Sequence, residues 1–205
     1  ELTRAQIDFD FVPAEAFEDK SRYKVSIADG LLGVNSCRYQ AFVMPSATFI
    51  GAKTAKAARR MTDADVMVLA VDKVPGAFYD TDGAVELGGL VATPLADVAR
   101  ALASAGLQTV VSDTPQPWLR ALRYERAGET YVMLVNEHPR ERIDCTVALA
   151  TGERLCGTRL DLLNGTEPVA FDGVLELAPF ESCIVVLEAG SEDAPGDGAI
   201  DADTS

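Results

Sequence analysis

Two aspartates near the start of the chain are spaced for acid–base chemistry: Asp8 and Asp10, in Gln6-Ile7-Asp8-Phe9-Asp10-Phe11-Val12. On an extended strand, side chains at i and i+2 share a face and lie about 6.5–7 Å apart. Paired carboxylates at such distances hydrolyse glycosides, one as acid and the other as base or nucleophile. The acid of such a pair needs a raised pKa, and nothing near these two would raise one. Alternating Asp on a solvated strand face is therefore the preferred reading. Asp80 and Asp82 fall in a long loop and read as solvated turn residues.

Other reactive types are equally isolated. Cys37, in Asn35-Ser36-Cys37-Arg38-Tyr39, precedes a strand, whereas an activated nucleophile of the elbow type sits on a tight strand-to-helix turn. His138 is the only histidine and falls in a hairpin-exit loop, Asn136-Glu137-His138-Pro139. The four cysteines, Cys37, Cys145, Cys156 and Cys183, form no C-x-x-C pair, so no zinc site is expected. Cys145 and Cys156 could face each other across a hairpin, but small buried hydrophobes in a reducing compartment are the favoured reading. There is no G-x-S-x-G, no P-loop and no G-x-G-x-x-G, and Gly88-Gly89 follows no buried strand. Pro13-Ala14-Glu15 is a poor phosphate loop, because carboxylates repel phosphate. Asn164-Gly165-Thr166 matches a glycosylation sequon, although an Asn-Gly turn accounts for it. Trp118, Leu122 and Tyr124 share a strand face with Arg120; a stripe containing Leu is read as core in preference to a sugar platform. No catalytic, cofactor-binding or metal-binding residue is assigned.

The elements that must carry these residues change character along the chain. Gln6–Val12 alternates apolar and acidic residues as a half-buried strand does. Pro13 ends it, and Ala14–Phe17 suits one helical turn. Tyr23–Ile27 and Leu31–Val34 flank Ala28-Asp29-Gly30, a hairpin signal. Tyr39–Met44 is nearly all apolar, as a parallel strand covered on both faces would be. Ile50, Thr54, Ala57, Ala58 and Met61 then recur at helical spacing, with Lys53, Lys56, Arg59 and Arg60 on a solvated face. Asp65–Val71 completes a βαβ unit. Asp72–Ala92 is loop-like, with Val85–Leu87 as a short strand. Thr93 is placed to cap a helix starting at Pro94, with Leu95, Val98, Ala99, Leu102 and Ala103 inward and Gly106 ending it. Leu107–Val111 is expected as the next strand.

Beyond Pro115 and Pro117 helical periodicity stops. Trp118–Arg126 and Thr130–Asn136 should pair around Ala127-Gly128-Glu129. Ile143–Leu149, Arg154–Leu162, Val174–Leu177 and Ser182–Leu187 follow, cut by Thr151-Gly152, Asn164-Gly165 and Asp172-Gly173. Short strands between such turns imply an antiparallel sandwich. The expected fold is α/β plus all-β: a partial flavodoxin-like α/β layer over 1–113, an antiparallel β-sandwich over 114–188, and an acidic, disordered tail over 189–205.

The net charge is −14, and residues 188–205 contribute six acidic residues and no basic one, leaving −8 elsewhere. This argues against nucleic acid and anionic membranes as partners, since both require basic surface. No apolar run reaches the roughly 20 residues of a membrane span. The chain begins at Glu1 with no signal peptide, which suggests a cytoplasmic piece of a longer polypeptide.

Four stretches in order carry a resemblance: Ile7-Asp8-Phe9-Asp10-Phe11-Val12; Tyr39-Gln40-Ala41-Phe42-Val43-Met44-Pro45; the hairpin Arg123–Glu137; and Asp161-Leu162-Leu163-Asn164-Gly165-Thr166-Glu167-Pro168-Val169. So spaced, residues 5–188 resemble the C-terminal accessory region of large bacterial glycoside hydrolases, the α-L-rhamnosidases of glycoside hydrolase family 106 and relatives with a family-2-like sugar-binding domain. Arg59–Asp65 lacks the Gly-Gly such proteins carry before the second βαβ strand. The resemblance implies an accessory role beside an upstream catalytic domain of the same polypeptide. It also implies that the α/β domain lacks its first strand and helix here. No family catalytic motif falls on these residues. Two other classes stand beside this reading: a carbohydrate-binding module using exposed aromatics, and a stand-alone flavodoxin-like binder of nucleotide or flavin.

Overall fold

The computed structural model describes residues 1–161, 165 and 167–187. The acidic tail, 189–205, and Asn164 and Thr166 of the Asn-Gly turn lie outside the described residues. The chain divides into two compact units, Glu1–Thr109 and Val110–Ser205.

The first unit opens with a 3-10 turn at Thr3–Ala5 and a single helical turn, α1 (Glu15–Glu18). A meander follows: β1 (Ser26–Ala28), β2 (Leu31–Val34) and β3 (Cys37–Tyr39), all antiparallel. Its first turn pairs Ala28 with Leu31 around Asp29 and Gly30, both at positive φ (52° and 72°). This is the two-residue geometry that matches strand twist. The apolar run Tyr39–Met44 is split: Tyr39 closes β3, and only β4 (Ala41–Met44) joins the parallel sheet.

That parallel sheet orders β4, β6 (Met67–Val71) and β8 (Ala92–Thr93). A second, two-stranded parallel sheet joins β5 (Phe49–Ile50) to β7 (Ala77–Phe78). Helix α2 (Ala52–Asp63) follows β5, and α3 (Leu95–Ser104) follows β8. Successive residues of a strand face opposite ways, and the core divides accordingly. Phe42, Met44, Val68 and Ala70 pack with Ala57, Ala58 and Met61 of α2. Val43, Leu69 and Val71 pack with Val98 and Leu102 of α3 and with Ile7. Both faces are covered, which explains the continuous apolar composition of β4 and β6.

Several expectations change here. Gln6–Val12 is not a strand. Gln6 and Ile7 are tied down by Thr109 N–H donating to the Gln6 carbonyl (2.8 Å) and by Ile7 N–H donating to the Leu2 carbonyl (3.1 Å). Ile7 enters the core, Phe9 and Phe11 meet each other edge-on at 5.6 Å, and Phe11 is 92% exposed. Alternation encodes a burial period, but a strand also needs a regular ladder, and no strand is assigned over 6–12. Val85–Leu87 likewise forms no strand; Leu87 is buried as a loop residue. Pro94 stands before α3 in extended conformation (ψ 139°), so the helix begins at Leu95, which is exposed. Its end is as expected: Gly106, at φ +75°, donates to the Ala103 carbonyl, and Leu107 N–H reaches Leu102.

The second unit is all antiparallel. It contains β9 (Val110–Ser112), β10 (Leu119–Arg126), β11 (Glu129–Asn136), β12 (Ile143–Leu149), β13 (Gly157–Leu160), β14 (Val169–Phe171), β15 (Val174–Leu177) and β16 (Ser182–Leu187). One sheet orders β10-β11-β16-β13-β14 and the other β15-β12-β9. They share one core: Leu119, Val132, Leu134 and Val185 from the first, Val110, Ile143, Val147 and Leu177 from the second. Strand β9 thus pairs with β12, although Leu107–Val111 was expected to extend the α/β layer. The expected strand Arg154–Leu162 is shorter, Gly157–Leu160, with Arg154 making only an isolated bridge to Ala148.

Candidate functional site

The open ends of parallel strands and the helix N-termini beside them are where an α/β layer binds anions. Here the chain fills those positions itself. Ala52 N–H, at the start of α2, donates to Asp80 Oδ1 at 3.0 Å and Oδ2 at 3.2 Å. Leu95 N–H, at the start of α3, donates to Asp72 Oδ1 at 2.9 Å. Asp80, expected as a solvated turn residue, is a helix cap brought from 28 residues away. Gly51 permits this closure, because a Cβ there would lie 2.6 Å from the Tyr79 hydroxyl. Carboxylates at both N-termini make this edge repel phosphate.

The Asp8–Asp10 pair is separated by function as well as by backbone. Asp8 Oδ1 accepts the Phe9 N–H (2.9 Å), while Asp10 Oδ2 accepts the Tyr39 hydroxyl (2.8 Å). Burial, and then the bond to Asp10, push the Tyr39 phenol far above its usual range. Both aspartates are exposed, whereas a glycosidase general acid is raised by an enclosing apolar pocket. Cys37 is exposed, on β3. All four thiols are free, so the Cys145–Cys156 bridge is not formed. Arg59 reaches Glu86 at 3.9 Å across solvent, and Lys53 donates to the Glu18 carbonyl at 3.4 Å, as surface residues do.

The arrangement best suited to a ligand is the outer face of the β10–β11 hairpin. Its loop is two residues, Ala127-Gly128, with Arg126 opposite Glu129 and positive φ at both loop positions (55° and 81°). A three-residue loop was expected. The tighter turn places Tyr124 opposite Tyr131, Leu122 opposite Met133 and Arg120 opposite Val135. Leu119 and Ala121 occupy the core instead. The stripe of Trp118, Arg120, Leu122 and Tyr124, expected as core, therefore faces outward, with Trp118 44% and Tyr124 42% exposed.

This face is organised by hydrogen bonds. Glu137 N–H donates to the Trp118 carbonyl (2.9 Å), extending the ladder by one residue, and the Glu137 carboxylate lies 3.8 Å from Arg120. Asn136, fully buried, donates from Nδ2 to the carbonyls of Glu141 (2.8 Å), Ala178 (3.0 Å) and Leu177 (3.2 Å) and accepts His138 N–H at Oδ1 (2.9 Å). The His138 ring accepts Arg140 and Glu141 N–H at Nδ1 (3.2 and 2.6 Å). So oriented, it meets Trp118 edge-to-face at 5.1 Å and 79°. Six bonds to main-chain N–H groups and carbonyls thus fix the loop that supports an exposed indole. Tyr124 and Tyr131 stack at 4.9 Å and 3°, and the Tyr131 hydroxyl donates to Glu129 (2.5 Å), which pushes its phenol pKa up. Tyr131 and His138 were not legible as parts of this face. A two-residue reading of Ala127-Gly128 would have revealed Tyr131.

The chain matches no protein-family model and no curated protein sequence. Solved structures do match it. An apo exo-carrageenase of glycoside hydrolase family 42 from Bacteroides ovatus superposes with TM-score 0.54 and 14% identity, over 91% of this chain and 25% of that one. A rhamnosidase from Novosphingobium sp. PP1Y superposes with TM-score 0.50 and 14% identity, over 82% of this chain and 19% of that one. The chain thus spans a quarter or less of the enzymes it matches. The shared property is the fold: this chain has an architecture found within glycoside hydrolase chains.

Proposed function

We propose that this chain is a non-catalytic accessory region of a glycoside hydrolase, supporting a catalytic domain on the same polypeptide. The observation that carries this reading is the superposition of 91% of the chain onto only a quarter of a much larger glycoside hydrolase. In this reading the first unit is a flavodoxin-like layer, the second a β-sandwich, and the enzyme is of the α-L-rhamnosidase type suggested by the sequence resemblance. The local chemistry supports it. Asp8 and Asp10 are exposed and accept hydrogen bonds from the Phe9 N–H and the Tyr39 hydroxyl, and the helix N-termini are capped by Asp72 and Asp80.

The test is hydrolysis of a panel of aryl glycosides, α-L-rhamnoside included. The purified chain should release aryl alcohol no faster than buffer does. A longer polypeptide carrying it should turn over, and should melt at a lower temperature when this region is deleted. Turnover by the isolated chain that disappears with Asp8→Asn or Asp10→Asn would overturn the proposal.

A further inference from the structure

We infer that the outer face of the β10–β11 hairpin binds an uncharged polysaccharide, with Trp118 and Tyr124 as its stacking groups. Three observations carry this. First, the chain's one tryptophan is exposed, yet its position is built: Glu137 holds its backbone, and His138, fixed through Asn136 and two main-chain N–H bonds, holds one side of the ring. Aromatic side chains supply apolar contact with little entropy loss on binding, and a rigidly held ring loses least. Second, the row is linear. Tyr124 lies on the edge strand β10 and Trp118 immediately precedes it, held in the continuation of the ladder by Glu137 N–H; six residues at the rise of a strand are about 20 Å, so the site fits a chain of sugar rings better than a single one. Third, the polar groups between and beside the rings are matched. Arg120 and Glu137 offer donors and an acceptor as a pair, without a net charge. A pyranose has apolar C–H faces and a rim of hydroxyls, which is the complement of this surface.

The net charge of −14 bears on two other occupants. It disfavours a polyanion and disfavours a second copy of the chain. The choice of a glycan rests on the accessory-region reading, but the two fail separately: loss of glycan binding leaves the aryl-glycoside result unaffected.

The single tryptophan allows the site to be observed directly in the unmodified chain. Tryptophan emission and its quenching by acrylamide would be followed during titration with xyloglucan, laminarin and rhamnogalacturonan, with carrageenan as a sulfated comparison. We expect at least one uncharged polymer to give a saturable blue shift, to reduce quenching about twofold, and to retard the chain in an affinity gel. Tyr124→Ala should weaken that binding about tenfold, and Trp118→Ala should abolish the retardation. The inference is overturned by an absence of effect from all uncharged polymers, by a response confined to carrageenan, by a shift insensitive to Tyr124→Ala, or by protection that grows with protein concentration alone.

Discussion

Asn136 shows how one polar residue can hold a region of a fold. It continues the inward alternation of Val132 and Leu134 on β11, so its carboxamide enters the core. There it meets the Glu141 carbonyl and the His138 N–H of the loop that follows it and the carbonyls of Leu177 and Ala178 from a distant segment. A buried polar group stripped of its partner costs about 1–3 kcal/mol. Asn136→Ala is expected to destabilise the second unit by about 3 kcal/mol in urea denaturation and to increase acrylamide quenching of Trp118. Asn136→Asp should cost more, because a carboxylate has no hydrogen to donate to three carbonyl oxygens. The sequence marks Asn136 as a strand exit. Its burial was not legible, since the carbonyls it serves come from residues 141, 177 and 178.

At the scale of elements, the helices of the first unit are locally encoded but remotely capped. Apolar residues at helical spacing specify α2 and α3, with Met61 and Leu102 buried on their inner faces. Their starts depend on Asp80 and Asp72, which lie in the loop that sequence periodicity leaves undefined. Asp80→Ala and Asp72→Ala should each lower stability by about 1 kcal/mol, read from the helical circular-dichroism signal in urea, whereas the Asn substitutions should retain most of it because Asn caps well. Thr93 was the expected cap for α3. It instead belongs to β8, opposite Val71, where its backbone completes the parallel sheet.

For the whole molecule, the two units have separate cores, and the cysteines report on them unequally. Cys145 and Cys183 lie in the core of the second unit, where burial pushes both thiols up to about 11. Cys37 and Cys156 are exposed. At pH 8 the native chain should therefore react rapidly with Ellman's reagent at two thiols and become reactive at the other two only as the second unit unfolds. Rapid reaction of all four in the native protein would contradict the two-sheet core.

By itself the sequence determined the local elements and the inward faces of many of them. The Asp29-Gly30 turn, the apolar β4 and β6, the stripes of α2 and α3, and the inward Ile143, Cys145, Val147 and Leu149 all follow from periods of two or 3.6 residues and from turn chemistry. Tertiary structure decided what depends on a distant partner. It made no strand of Gln6–Val12, moved β9 to the second unit, chose Asp72 and Asp80 as caps, and turned Trp118 and Tyr124 outward. The physical reason is the same in each case: burial periods are written in neighbouring residues, but the strand, helix end or core that satisfies them lies tens of residues away and is chosen only by packing.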